Sequence, residues 1–186
     1  MNALFEAASE VCAFMEARQW KYCIIGGLAV QQWGEPRTTL DVDLTLLTGW
    51  GEEAQFVDAL LERFKSRLDG AREFALARRI LLIRASNGTD LDVALGALPF
   101  EENMVARARP VAFSPDLQLP CCMAEDLVIM KVFAGRPRDW LDAESIVARQ
   151  CALDAAHILG HLAQLCELTN NAEALERARR MLERQP

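Results

Sequence analysis

The stretch "GEPRTTLDVDLTLL", Gly34 to Leu47, is the place to begin. From Leu40 onward it alternates, as a β-strand with one buried face does. Val42, Leu44 and Leu46 then point into a core, and Asp41, Asp43 and Thr45 share the opposite face. Two carboxylates at i and i+2 on one strand face lie within about 7 Å of each other. Like charges that close raise each other's pKa and are costly unless something neutralises them. A divalent cation would do so, and Mg²⁺ favours one or two carboxylates together with substrate phosphates. Taken alone, the pattern reads more simply as an exposed polar strand face, because acidic side chains mostly lie at the surface.

Two further features shift that balance. In "KYCIIGGLAV", Tyr22 to Ile25 is a short buried strand, and Gly26 and Gly27 follow it at the opening of a helix. A strand–Gly–Gly–helix turn lets backbone N–H groups approach a phosphate closely. In "TDLDVAL", Leu91 and Val93 face inward on another strand, which leaves Asp90 and Asp92 together on the polar face. Either could be a third carboxylate, and three carboxylates could hold two metal ions for phosphoryl transfer.

Outward from these segments, residues 3–18 and 52–68 have helical spacing. "RRILLIRA" and the Asp90 strand form a hairpin across "SNG". "PFEENMVARA" is a helix, and "RPVAFSPDLQLP" is turn-rich with short strands. Helices follow at 124–133, 139–150, 154–168 and 172–183. The expectation is an α+β fold: a mixed sheet flanked by helices over 1–120, then a helical C-terminal part over 121–186.

Length and composition agree with one globular domain, or one domain with a helical appendage. The chain has 186 residues, 52% of them hydrophobic and 25% charged, enough for a real core. No apolar run reaches the ~18 residues that suggest a membrane span. The acidic start "MNALFEAASEV" is unlike a signal peptide, so a cytoplasmic protein is expected. A net charge of −7 argues against broad nucleic-acid binding. Cys12, Cys23, Cys121, Cys122, Cys151 and Cys166 contain no C-x-x-C pair and read mostly as reduced core residues.

The ordered set Gly26-Gly27, then Gly34, Arg37, Thr39, Asp41 and Asp43, then a third Asp on a later strand resembles the DNA-polymerase-β-type nucleotidyltransferase superfamily. Within it the chain most resembles the small bacterial AbiEii-like proteins of the abortive-infection toxin group and their uncharacterised relatives, from about Ile24 to Val147. "AEDLVIMKVFAGRPRDWLDAESIV" carries that group's E-D-L, Lys, and R-x-x-D-x-x-D pattern, here Lys131, Arg136, Asp139 and Asp142.

The resemblance implies an enzyme that moves a nucleoside monophosphate from an NTP to an acceptor hydroxyl. Asp41, Asp43 and Asp92 would hold Mg²⁺ or Mn²⁺. Gly26, Gly27, Arg37, Thr39 and Lys131 would bind the nucleotide, with Asp139 and Asp142 in support. An antitoxin partner is implied by the group, and the acceptor is open among tRNA, protein and small molecule. The alternative is a non-catalytic protein of the same fold that acts through a partner.

Several residues have a plainer reading. Lys131 has apolar neighbours on both sides and could snorkel to solvent. The resemblance instead has it reach phosphate or hold a carboxylate. Arg37 could be a solvated loop arginine. Asp139 could cap a helix N-terminus. His157 and His161, the only histidines, lack the Glu of a zinc-protease helix and read as structural or surface residues.

Overall fold

The computed structural model describes residues 2–183. It falls into two compact units: the chain up to Leu28 with Thr38–Cys122, and Ala29–Arg37 with the chain from Met123 onward.

The first unit is built on one mixed sheet of β1 (Tyr22–Ile24), β2 (Asp41–Leu47), β3 (Lys65–Ser66), β4 (Ile80–Arg84), β5 (Asp90–Gly96), β6 (Arg109–Ser114) and β7 (Leu117–Cys121). Their spatial order is β3-β4-β5-β2-β1-β7-β6. β2 runs parallel to β5 and antiparallel to β1, while β4 and β5 form the expected antiparallel hairpin. The alternation of "LDVDLTLL" holds from Asp41 to Leu44 and breaks at Thr45, which is buried as well. Val42, Leu44 and Leu46 are fully buried, as are Leu91 and Val93 of β5 and Leu81 and Ile83 of β4. They form one core with α1 (Ala3–Glu16) and α3 (Glu53–Arg63). Leu4, Ala7, Ala8, Val11 and Met15 line the inner side of α1, and Asn2 caps it by accepting the Leu4 N–H at 3.1 Å.

The helix expected over 52–68 is shorter. It stops at Arg63, because Phe64 turns extended to bury its ring and leads directly into β3. A further helix, α4 (Ala71–Arg78), fills the interval before β4. Its apolar pattern is too brief to read, and left-handed residues bound it at both ends, Gly70 and Arg79. α5 (Pro99–Arg107) begins with a proline at its first turn, where no N–H partner is lost. Glu101 accepts the N–H groups of Ala97 and Leu98 at 2.8 and 2.9 Å.

The second unit holds α6 (Ala124–Ala134), α7 (Pro137–Arg149), α8 (Ala155–Thr169) and α9 (Ala172–Leu182), close to the expected helices. α6 is apolar nearly all round and is buried accordingly. Gly135 ends it in the left-handed region at φ +67. The segment Ala29–Arg37 is tied to α7 by Ser145 Oγ, which accepts the Glu35 N–H at 3.1 Å. Gln150 Nε2 donates to the Trp33 carbonyl at 2.7 Å. A Cβ on Gly34 would stand 2.5 Å from Ser145 Oγ, so only glycine permits this approach. No described helix is long and apolar enough to cross a membrane.

Candidate active site

Strand register assembles the carboxylates. β2 and β5 run parallel with Asp41 opposite Asp90 and Asp43 opposite Asp92, so all four side chains lie on the sheet face away from the core. Asp41, Asp43 and Asp92 each offer an oxygen within 4.8 Å of the other two, and all three are half-buried. Such a set of hard oxygen donors suits a divalent cation.

Asp90 belongs to a different arrangement. Its Oδ1 accepts from Arg84 Nε at 2.7 Å, and its Oδ2 lies 3.3 Å from Arg67 Nε. Of Asp90 and Asp92, left open in the sequence, it is Asp92 whose oxygen clusters with those of Asp41 and Asp43. Arg67 also donates through Nη1 to Asp92 Oδ1. Burial pushes the Asp92 carboxyl above the ordinary carboxylate range. Arg67 opposes that shift, and the charges of Asp41 and Asp90 reinforce it.

The glycine pair packs against the triad. α2 (Gly26–Trp33) starts directly after β1. Gly26 has φ +60, and a Cβ there would sit 1.9 Å from Asp43 Oδ2. Gly27 donates its N–H to that same oxygen at 3.2 Å. A Cβ on Gly27 would meet Thr39 Oγ1 at 2.3 Å, and Thr39 Oγ1 donates to Asp41 Oδ1 at 2.8 Å. Gly26, Gly27 and Thr39 therefore touch two of the three carboxylates and fix where they stand. Thr45, next along the polar face, is fully buried, and its hydroxyl has no hydrogen-bond partner.

The remaining site candidates lie in the second unit and form a cluster of their own. Lys131 is 8% exposed and does not snorkel. Its Nζ donates to Asp139 Oδ1 at 3.1 Å and stands 2.9 Å from Asp142 Oδ2. Arg37 meets Asp142 with two bonds, Nε to Oδ1 at 2.8 Å and Nη2 to Oδ2 at 2.9 Å, so it is not a solvated loop arginine. Arg136 Nε donates to Asp139 Oδ2 at 2.5 Å.

Burial works to raise both aspartates, but these cations outweigh it and hold them below the usual range. Asp139 is not the helix cap. Arg136 occupies that position, with Pro137 after it, and Asp139 stands within the first turn. His157 Nε2 lies 2.9 Å from Asp126 Oδ1, and the His157 and His161 rings meet edge to face at 4.6 Å.

Arg67 had no mark in the sequence. It follows a two-residue edge strand, and nothing local shows that "KSR" will pair beside "DLD". Only the antiparallel hairpin, read together with that edge pairing, would have placed it.

A family model described as "Nucleotidyltransferase of unknown function (DUF6036)" matches residues 1–182. Among solved structures, an antigenic nucleotidyltransferase-like protein from Paracoccidioides brasiliensis is similar with a TM-score of 0.52 at 17% identity. The match covers 93% of this chain and 92% of that one. The lincosamide antibiotic adenylyltransferase LnuA, in a lincomycin-bound crystal structure, also gives a TM-score of 0.52, at 12% identity, covering 78% of this chain and 97% of that one. At these identities the likeness establishes a shared fold. No curated protein matches the sequence.

Proposed function

From the premise that this chain belongs to the DUF6036 nucleotidyltransferase family, we propose that it transfers a nucleoside monophosphate from an NTP to an acceptor hydroxyl in a Mg²⁺-dependent reaction. The observation that carries this reading is the triad of Asp41, Asp43 and Asp92, with oxygens within 4.8 Å of one another. It stands against a glycine pair whose missing Cβ atoms let Asp43 and Thr39 approach the backbone closely.

In the reaction the acceptor oxygen forms a bond to the α-phosphorus. The bridging bond to the β-phosphate breaks, pyrophosphate leaves, and the acceptor proton passes to solvent. Bound divalent metal would supply charge neutralisation for the phosphates and activation of the attacking oxygen. Asp41, Asp43 and Asp92 are the residues that would hold it. The chain's own part is positioning. The Thr39 hydroxyl and the Gly27 N–H fix one oxygen each of Asp41 and Asp43. The bare backbone at Gly26 and Gly27 leaves room for the Asp43 and Thr39 side chains to pack against it.

Residues 1–120 form the catalytic core in this reading and 121–186 its helical C-terminal part. Both cationic groups of Arg37 and Lys131 are already engaged by Asp139 and Asp142. We therefore assign those four residues the support of the helical part, in place of direct phosphate contact. Placement among the AbiEii-like proteins, with a toxin role and an antitoxin partner, rests on the ordered motif set from Gly26 to Asp142.

The experiment is incubation of the protein with each α-labelled NTP, Mg²⁺ and a cell extract. Label should pass to one acceptor class, and Asp43→Asn should abolish the transfer while keeping the wild-type melting temperature without ligand. A wild-type protein that labels nothing and gains no thermal stability from NTP with Mg²⁺ would leave the non-catalytic binding reading in its place.

A further inference from the structure

Arg67 occupies a defined position relative to the carboxylates. Its backbone N–H bonds the Leu82 carbonyl at 3.1 Å. Leu82 is paired across the sheet with Asp92, and Asp92 with Asp43. The row therefore runs from Arg67 through Asp92 to Asp43, and the glycine pair adjoins Asp43 at the other end. The guanidinium reaches the triad from the side opposite the glycines. It contacts the third carboxylate directly and is anchored a second time by Asp90, which Arg84 holds in turn. Its side chain is only 23% exposed, so this is not a solvated arginine passing over a surface.

A guanidinium bonded to a metal-ligating carboxylate has two effects of fixed sign. It neutralises that carboxylate, which allows three acids to stand together in a protein without metal. It also repels any other cation that approaches the same oxygens, by a Coulomb interaction that is strong at such short range. Asp90 matters here, because it ties Arg67 in place when the Asp92 oxygen is contested.

Building on the nucleotidyl-transfer reading, we propose that Arg67 is a positioning residue that serves as the triad's resident cation. It holds Asp92 in the cluster and keeps the affinity of the bare protein for divalent metal low. The cost of metal entry is then set by a residue that binds no metal itself.

The test is Mn²⁺ binding followed by electron paramagnetic resonance, without nucleotide, in wild type and in Arg67→Met, Arg67→Gln and Arg67→Lys. Loss of the charge should tighten Mn²⁺ binding at least tenfold in both Met and Gln variants. The Lys variant, which keeps the charge, should stay within threefold of wild type. A purely structural role would not separate Lys from Gln in this way. The Gln variant, which retains hydrogen-bond donors toward Asp90 and Asp92, guards against a folding failure of the Met variant. Equal or weaker Mn²⁺ binding in the neutral variants, with wild type binding normally, overturns the role of Arg67 and leaves nucleotidyl transfer standing. Absence of Mn²⁺ binding in every protein overturns the role of Arg67, while nucleotidyl transfer stands or falls separately on the labelled-NTP assay with Mg²⁺.

Discussion

Replacing Lys131 by Met separates a structural ammonium from a snorkelling one. The Lys131 Nζ stands 3.1 Å from Asp139 and 2.9 Å from Asp142, whose side chains are only 3% and 4% exposed. Met preserves the apolar stem and the helix preference, so the loss is electrostatic. Removing one partner from a buried ion pair costs about 3–5 kcal/mol, because a charge is left uncompensated in a poor solvent. Here each aspartate retains an arginine, Arg136 on Asp139 and Arg37 on Asp142. The lower end is therefore expected, about 3 kcal/mol. For a chain of this size that is a fall of roughly 6–12 °C in melting temperature.

The pH dependence follows from the depressed aspartates. A carboxylate whose folded pKa is lowered adds stability that is present above its unfolded value and lost as pH falls through the folded one. Asp139 and Asp142 both lie below the ordinary aspartate value of 3.8. The gap between wild type and Lys131→Met should accordingly be full at pH 7 and close as pH drops below 3.8. Urea unfolding and thermal melts across that range measure it. A fall of less than about 2 °C at pH 7, at most about 1 kcal/mol by the same scaling, would refute the reasoning. So would a gap that does not change with pH.

Gly26→Ala should melt lower by an amount equivalent to about 1–2 kcal/mol from the left-handed backbone alone. It should also lose Mg²⁺-dependent stabilisation by NTP, since its Cβ would displace Asp43; a thermal shift like that of wild type would contradict this. Asp92→Asn should leave the metal-free melting temperature at pH 7 unchanged or higher. The raised pKa of Asp92 means that its ionised form opposes folding, so stability falls as pH rises through that pKa. Calorimetry showing a clear loss of stability in Asp92→Asn would overturn that sign.

What was legible in the sequence is what local periodicity controls. The alternation around Asp41 and Asp43 fixed which face carried the acids, and the hairpin at "SNG" placed β4 against β5. Gly26 and Gly27 were read for the approach of a phosphate; the atoms that approach them within the protein are those of Asp43 and Thr39. What was not legible depends on pairings distant in sequence. α4 is bounded by left-handed residues rather than marked by a long apolar stripe. The partners of Lys131 sit on the following helix, and a single helical pattern does not show whether a lysine turns toward such acids or toward water. Arg37 and Asp142 are 105 positions apart.

The distinction between Asp90 and Asp92 shows why local reading stopped where it did. Both alternate outward on the same strand, and a period of two cannot tell them apart. Their fates differ through what each neighbouring strand contributes. Asp92 stands opposite Asp43 on β2 and joins the triad. Asp90 stands opposite Arg84 on β4 and is drawn into a pair with it. A shift of two residues in the β2–β5 register would keep every apolar side chain in the core and still exchange the two aspartates. The hydrophobic pattern therefore secures the face, while the choice of the third carboxylate is made by the exact register and by the two arginines that claim the other acid.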